Sequence, residues 1–75
     1  LEGRTVKIRY DQNMDALTII LRQDSTVEES DEPKPGIILD YDAAGGLVSI
    51  EILNASEHMQ DVTTMEYQLG GVPQA

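Results

Sequence analysis

The stretch Gly36-Ile37-Ile38-Leu39-Asp40-Tyr41-Asp42-Ala43-Ala44-Gly45-Gly46-Leu47-Val48-Ser49-Ile50-Glu51-Ile52 decides the fold. Ile37, Leu39 and Tyr41 alternate with Ile38 and Asp40, and Val48, Ile50 and Ile52 alternate with Leu47, Ser49 and Glu51. A period of two marks strands with one buried face. Pairing Tyr41 with Val48 sets Leu39 opposite Ile50 and Ile37 opposite Ile52. That register puts six apolar side chains on one face, and a slip of one residue would scatter them. Ala43-Ala44-Gly45-Gly46 remains as the loop, with glycines free to take the positive φ of a tight hairpin.

The same pattern occurs upstream. Val6, Ile8 and Tyr10 alternate with Lys7, Arg9 and Asp11, and Leu17, Ile19 and Leu21 alternate with Ala16, Thr18, Ile20 and Arg22. The turn formers Gln12-Asn13-Met14-Asp15 lie between them. Facing Tyr10 with Leu17, Ile8 with Ile19 and Val6 with Leu21 makes a second hairpin with a matching face. The expected fold is therefore mainly β (α+β). It is an antiparallel sheet of two consecutive hairpins, about four strands with room for an added edge or C-terminal strand, and one short helix after the last hairpin strand. The expected core is Val6, Ile8, Tyr10, Leu17, Ile19, Leu21, Ile37, Leu39, Tyr41, Val48, Ile50 and Ile52.

Residues 23–35 join the hairpins and carry Asp24, Glu28, Glu29, Asp31 and Glu32, then Pro33 and Pro35. Proline cannot donate to a ladder, so this segment reads as a loop or a short charged edge strand. Asn54-Ala55-Ser56-Glu57 reads as a helix start, with Asn54 as N-cap and Glu57 three residues on. The β-branched run Val62-Thr63-Thr64 stops that helix, which is expected over residues 55–61. Met65, Tyr67 and Leu69 alternate again, as a C-terminal strand or an extended arm, and Gly70-Gly71-Val72-Pro73 ends it as a tail. The expectation is a single domain over residues 1–75, with an ordered core over 5–61 and an arm or tail over 62–75. Residues 1–4 are left out of the fold reading.

A chain of 75 residues is one domain at most, and its stability margin is thin. It has no cysteine, so neither a disulfide nor a thiolate metal site reinforces it. Fourteen acidic side chains against five basic ones give a net charge of −9. Such a surface repels phosphate backbones and anionic membranes and suits a basic protein partner. The only aromatic residues are Tyr10, Tyr41 and Tyr67, too few beside no basic groove for single-strand binding. No apolar run approaches a membrane span. These features predict a cytoplasmic protein that binds neither nucleic acid nor membrane.

Motif chemistry is sparse. Asp11-x-Asn13-x-Asp15 matches the first ligand positions of a calcium loop, but Ala16 stands at the glycine position and Arg22 at the bidentate glutamate position. The plainer reading is a polar loop bonding its own amides. His58 is the single histidine, and Ser56 near it lacks a nucleophile elbow. Asp40 lies on the face away from the core, while Asp11 and Asp42 begin turns at a wet rim. No catalytic, cofactor or metal residue is expected, and no cofactor.

The residues Tyr10-Asp11, Asp15-Ala16-Leu17-x-Ile19, Gly36-Ile37-Ile38-Leu39-Asp40-Tyr41-Asp42 and Gly46-Leu47-Val48-x-Ile50-Glu51-Ile52-Leu53-Asn54-Ala55-Ser56 resemble domain of unknown function 2283, a family of short prokaryotic proteins. The resemblance spans residue 6 to about residue 59. It implies a compact antiparallel sheet with a following helix, no established activity, and a place among antitoxin-like neighbours of small toxins. Methionine at position 14 and the Pro33-Pro35 spacing depart from the usual pattern. Two functions follow as expectations. One is a non-catalytic protein–protein interaction module, an antitoxin-like partner of a basic protein. The other is a small-ligand or metal-binding domain, or a cryptic hydrolase, using Asp11, Asp40, Asp42, Glu51 and His58. A short helix and an arm cover a four-stranded sheet poorly. Self-association as a homodimer is therefore expected, through Ile20, Ile38, Met65, Tyr67 and Leu69.

Overall fold

The chain's alternating segments pair into one sheet in the computed structural model, which describes residues 4–71. The elements are β1 (Lys7–Asp11), β2 (Ala16–Ile20), β3 (Glu29–Lys34), β4 (Ile37–Tyr41), β5 (Leu47–Leu53) and α1 (Ala55–His58). The strand order is β1-β2-β5-β4-β3, antiparallel throughout, with β5 in the middle.

The hairpin registers follow the apolar periodicity. Tyr10 pairs with Leu17 and Ile8 with Ile19, while Leu39 pairs with Ile50 and Ile37 with Ile52. The β2–β5 ladder joins the hairpins by setting Leu17 against Ile52 and Ile19 against Ile50. Two unbroken apolar rungs thus cross four strands. One is Ile8, Ile19, Ile50 and Leu39, and the other is Tyr10, Leu17, Ile52 and Ile37.

Four expectations need correction. Tyr41 pairs with Leu47 rather than Val48, because a bulge interrupts the ladder after Asp40. The Val48 carbonyl there accepts both the Leu21 and the Arg22 N–H, at 2.8 and 3.2 Å. Of the two readings of the joining segment the charged edge strand holds: β3 pairs with β4 at the sheet edge, and its register shifts between Asp31 and Lys34, where Pro33 has no N–H to give. The helix is a single turn over Ala55–His58. Asn54 does not cap it with its side chain; it takes φ 51, a left-handed conformation that asparagine tolerates, and turns the chain out of β5. Beyond α1, Asp61 accepts the Thr63 N–H at 2.8 Å and the Thr63 and Thr64 hydroxyls, and this local turn replaces further helix. Met65, Tyr67 and Leu69 form no strand and are exposed, Tyr67 at 88%. The expected tail from Val72 onward and the segment before Arg4 lie outside the described residues.

The fourth correction concerns the core. The twelve side chains expected inside form a face instead. Among the described residues only Leu17, Val48 and Ala55 are buried apolar groups, and Val6 and Ile8 are 52% and 47% exposed. The radius of gyration, 14.2 Å, exceeds the roughly 11 Å of a globular domain of this length. The regular elements of the described residues are this single five-stranded sheet and the one-turn α1. No helix among the described residues is long and apolar enough to cross a membrane.

Candidate functional site

Alternation sends Thr18 and Ile20 of β2, Ser49 and Glu51 of β5, and Ile38 and Asp40 of β4 to the second face. All of these but Ile38 line a groove of about 480 Å³ together with Arg22, Val27 and Ser30. Asp40 lies in this groove and is only 3% exposed, although it is on the face away from the apolar rungs. Ser30 of the edge strand and Ser49 of the central strand each donate a hydroxyl to it, at 2.6 and 2.7 Å. Burial pushes the Asp40 carboxyl up, but the hydrogen bonds from Ser30, Glu51 and Ser49 together hold it below its ordinary value. Glu51 is its diagonal neighbour, and the hydrogen bond it makes to Asp40 raises the Glu51 carboxyl, with burial and the Asp40 charge adding to the effect.

The other acidic candidates stand apart from this pair. Asp42 starts the β4–β5 turn, where its Oδ1 accepts the Gly46 and Ala44 N–H at 2.7 and 3.0 Å. Its Oδ2 accepts from Arg22 at 3.0 Å. The Gly46 N–H is the main cause of its lowered pKa, with smaller contributions from Ala44 and Arg22. Asp11 accepts the Asn13 and Met14 N–H at 3.0 and 3.2 Å, as a polar loop bonding its own amides does. His58 lies in α1, near Gly36 of the β3–β4 turn. Asp40 and Glu51 are therefore brought together, whereas Asp42 and His58 belong to different turns. No group of three or more potential metal-ligating side chains occurs among the described residues.

Asp15 holds a junction that the sequence reading passed over. Its backbone takes φ 51, its carbonyl accepts the Ala55 N–H at 2.9 Å, and its carboxylate accepts the Ser56 N–H and hydroxyl at 3.0 and 2.6 Å. Tyr10 donates its hydroxyl to the same carboxylate at 2.7 Å. The Ser56 hydroxyl followed by that of Tyr10 keeps the Asp15 carboxyl below its ordinary value, and the bond to Asp15 raises the Tyr10 phenol. The hydroxyls of Ser30, Ser49 and Ser56 all donate to carboxylates, and no buried side-chain polar atom among the described residues lacks a partner. These hydrogen bonds tie β3, β4 and β5 together at Asp40, and the β1–β2 turn to α1 at Asp15.

The signal for Asp40 was present in the register, since Leu39 opposite Ile50 implies Asp40 opposite Ser49. Of the interface candidates, Ile20 and Ile38 flank β5 on the second face, paired with Ser49 and Glu51 and half-buried. Met65, Tyr67 and Leu69 follow the sheet in the extended C-terminal segment.

Searches of curated proteins and of solved structures returned no match. The family model described as protein of unknown function (DUF2283) matches residues 7–56, from the first residue of β1 to the serine that Asp15 binds. The chain belongs to the DUF2283 family.

Proposed function

We propose that this chain is a non-catalytic protein–protein interaction module, acting in the cytoplasm as an antitoxin-like partner of a basic protein and associating with itself. The observation that carries this reading is the open apolar face. Two rungs of four apolar side chains cross the sheet, of which Leu17 is buried, Ile8 is 47% exposed and the other six are half-buried. Apolar surface left partly exposed across four strands suits contact with another macromolecule. Fourteen acids against five bases favour a cationic partner and speed its approach. The serine hydroxyls are already engaged by Asp40 and Asp15, which leaves the polar groups structural work.

Calorimetry of the purified chain against the basic product of a neighbouring gene tests the reading. A stoichiometric complex that weakens as salt rises supports it. A chain that stays monomeric and gives no heat with that protein at any salt overturns it. Thermal stabilisation by calcium, magnesium or zinc without such a complex would instead favour the small-ligand alternative.

A further inference from the structure

The segment after α1 carries the pattern of a strand and pairs with none. Thr64-Met65-Glu66-Tyr67-Gln68-Leu69 holds neither proline nor glycine, and Met65, Tyr67 and Leu69 alternate with Glu66 and Gln68. Period two is the pattern of an extended chain with one apolar side. The sheet does not take the segment in. Among the described residues no hydrogen bond joins the backbone of residues 64–69 to β1–β5. The side-chain bonds of the segment are local, Thr64 to Asp61 and Gln68 to Glu66. Met65, Tyr67 and Leu69 are 46%, 88% and 69% exposed. Two requirements are therefore unmet at the same place: apolar side chains at alternate positions face water, and a row of backbone N–H and C=O groups has no protein partner. The family model ends at residue 56, so the segment lies beyond the shared domain.

We propose that residues 64–69 are a strand that this chain adds to the open sheet edge of a basic partner protein. This deepens the interaction reading above and rests on it. In strand addition main-chain hydrogen bonds supply affinity, and pockets for alternate side chains supply the choice of partner. Six residues at a rise of about 3.3 Å span about 20 Å, the length of an ordinary strand. Charge sets the character of the partner. No Lys or Arg follows Lys34, while Glu57, Asp61 and Glu66 lie in and just before the segment. In a strand Glu66 falls on the side opposite Met65, Tyr67 and Leu69, where a cation beside the partner's edge would meet it. The edges of this chain's own sheet are poorer hosts. β3 is exposed throughout, its three acids repel Glu66, and Pro33 cannot donate to a ladder. β1 is charged at three of its five positions, Lys7 and Arg9 among them, and its use by a second copy is separated in the experiment.

Amide hydrogen exchange read by NMR provides the test, on the full chain alone and with the basic product of a neighbouring gene. In the chain alone the amides of residues 64–69 should exchange at close to open-chain rates at every protein concentration. In the complex every second one should slow about a hundredfold or more, because an edge strand turns alternate N–H groups to its neighbour. Tyr67→Asp alters a side chain outside the sheet, so the variant should fold, and it should weaken the complex by about tenfold or more. A complex that leaves residues 64–69 unprotected, or that takes Tyr67→Asp as tightly as wild type, overturns the added strand and leaves the interaction reading standing. Alternate protection in the chain alone that grows with concentration makes a second copy the host and overturns the basic partner. Absence of any complex overturns both.

Discussion

Asp15 and Ser56, 41 residues apart in sequence, are joined twice, through the Ser56 backbone N–H and through its hydroxyl. This contact fastens the end of β5 and the start of α1 to the β1–β2 turn. Because the folded Asp15 pKa lies below its ordinary value near 3.8, its stabilisation is complete above that value and lost as pH falls through the folded pKa. Asp15→Asn keeps the left-handed backbone tolerable but removes the charge. It should lower Tm by several degrees near neutral pH, and the gap to wild type should narrow as pH falls below the ordinary carboxylate range and close once the folded carboxyl is protonated. A gap unchanged by acid would count against the assignment. The readout is thermal melting over a pH series.

The Glu51 carboxyl titrates in the opposite sense. It is raised in the folded chain, so it favours the unfolded state as pH rises past its ordinary range. Glu51→Gln keeps a donor for Asp40 without the second charge. Urea denaturation should show the variant more stable than wild type near neutral pH. The advantage should disappear near pH 4, where Glu51 is protonated. A gain of equal size at both pH values would count against a raised Glu51 carboxyl.

Leu17 and Ile50 should respond differently to truncation. Leu17 is 1% exposed in the single chain, and Leu17→Ala should cost about 2–5 kcal/mol at every protein concentration. Ile50 is half-buried on the open face. Ile50→Ala should cost more at high concentration, where wild type gains stability from association. Chemical denaturation at two concentrations a hundredfold apart (about 1 and 100 μM) measures this. A concentration-independent Ile50→Ala cost would show that its face is not a contact.

Adjacent glycines in the β4–β5 turn carry different constraints. Gly45 has φ +86 and open space around its Cβ position, so Gly45→Ala should cost about 1–2 kcal/mol from backbone strain alone. Gly46 has no such φ, but an added Cβ would come within 2.4 Å of Arg22 Nη1. Gly46→Ala should displace Arg22 from Asp42 at small cost, since exposed ion pairs contribute little. Adding Arg22→Ala should remove the remaining penalty of Gly46→Ala and leave that of Gly45→Ala unchanged. Denaturant midpoints of the single and double variants decide it.

The sheet was legible in sequence because alternation and register reinforce each other. Ile8 opposite Ile19 and Leu39 opposite Ile50 follow from the only pairing that keeps apolar groups together. The Tyr41–Leu47 pairing escaped that logic, since a bulge changes register without changing composition. The fate of residues 29–34 was left open between loop and edge strand, because prolines and acids fit either. The helix start misled for a physical reason. Asn54 and Glu57 have cap spacing, but the cap comes from Asp15, brought in by a turn that local sequence does not reveal. The buried Asp40 was hidden because burial of an acid depends on two serines from different strands converging on it.

The edge strand β3 bears on how large any assembly can become. Every residue of Glu29–Lys34 is exposed, three of six are acids, and Pro33 breaks the row of donors that an incoming strand would need. Growth by adding strands side by side, the route to fibres, is closed at that edge. At the opposite edge, three of the five residues of Lys7–Asp11 are charged. Lengthening of the sheet by strand addition is therefore disfavoured at both edges.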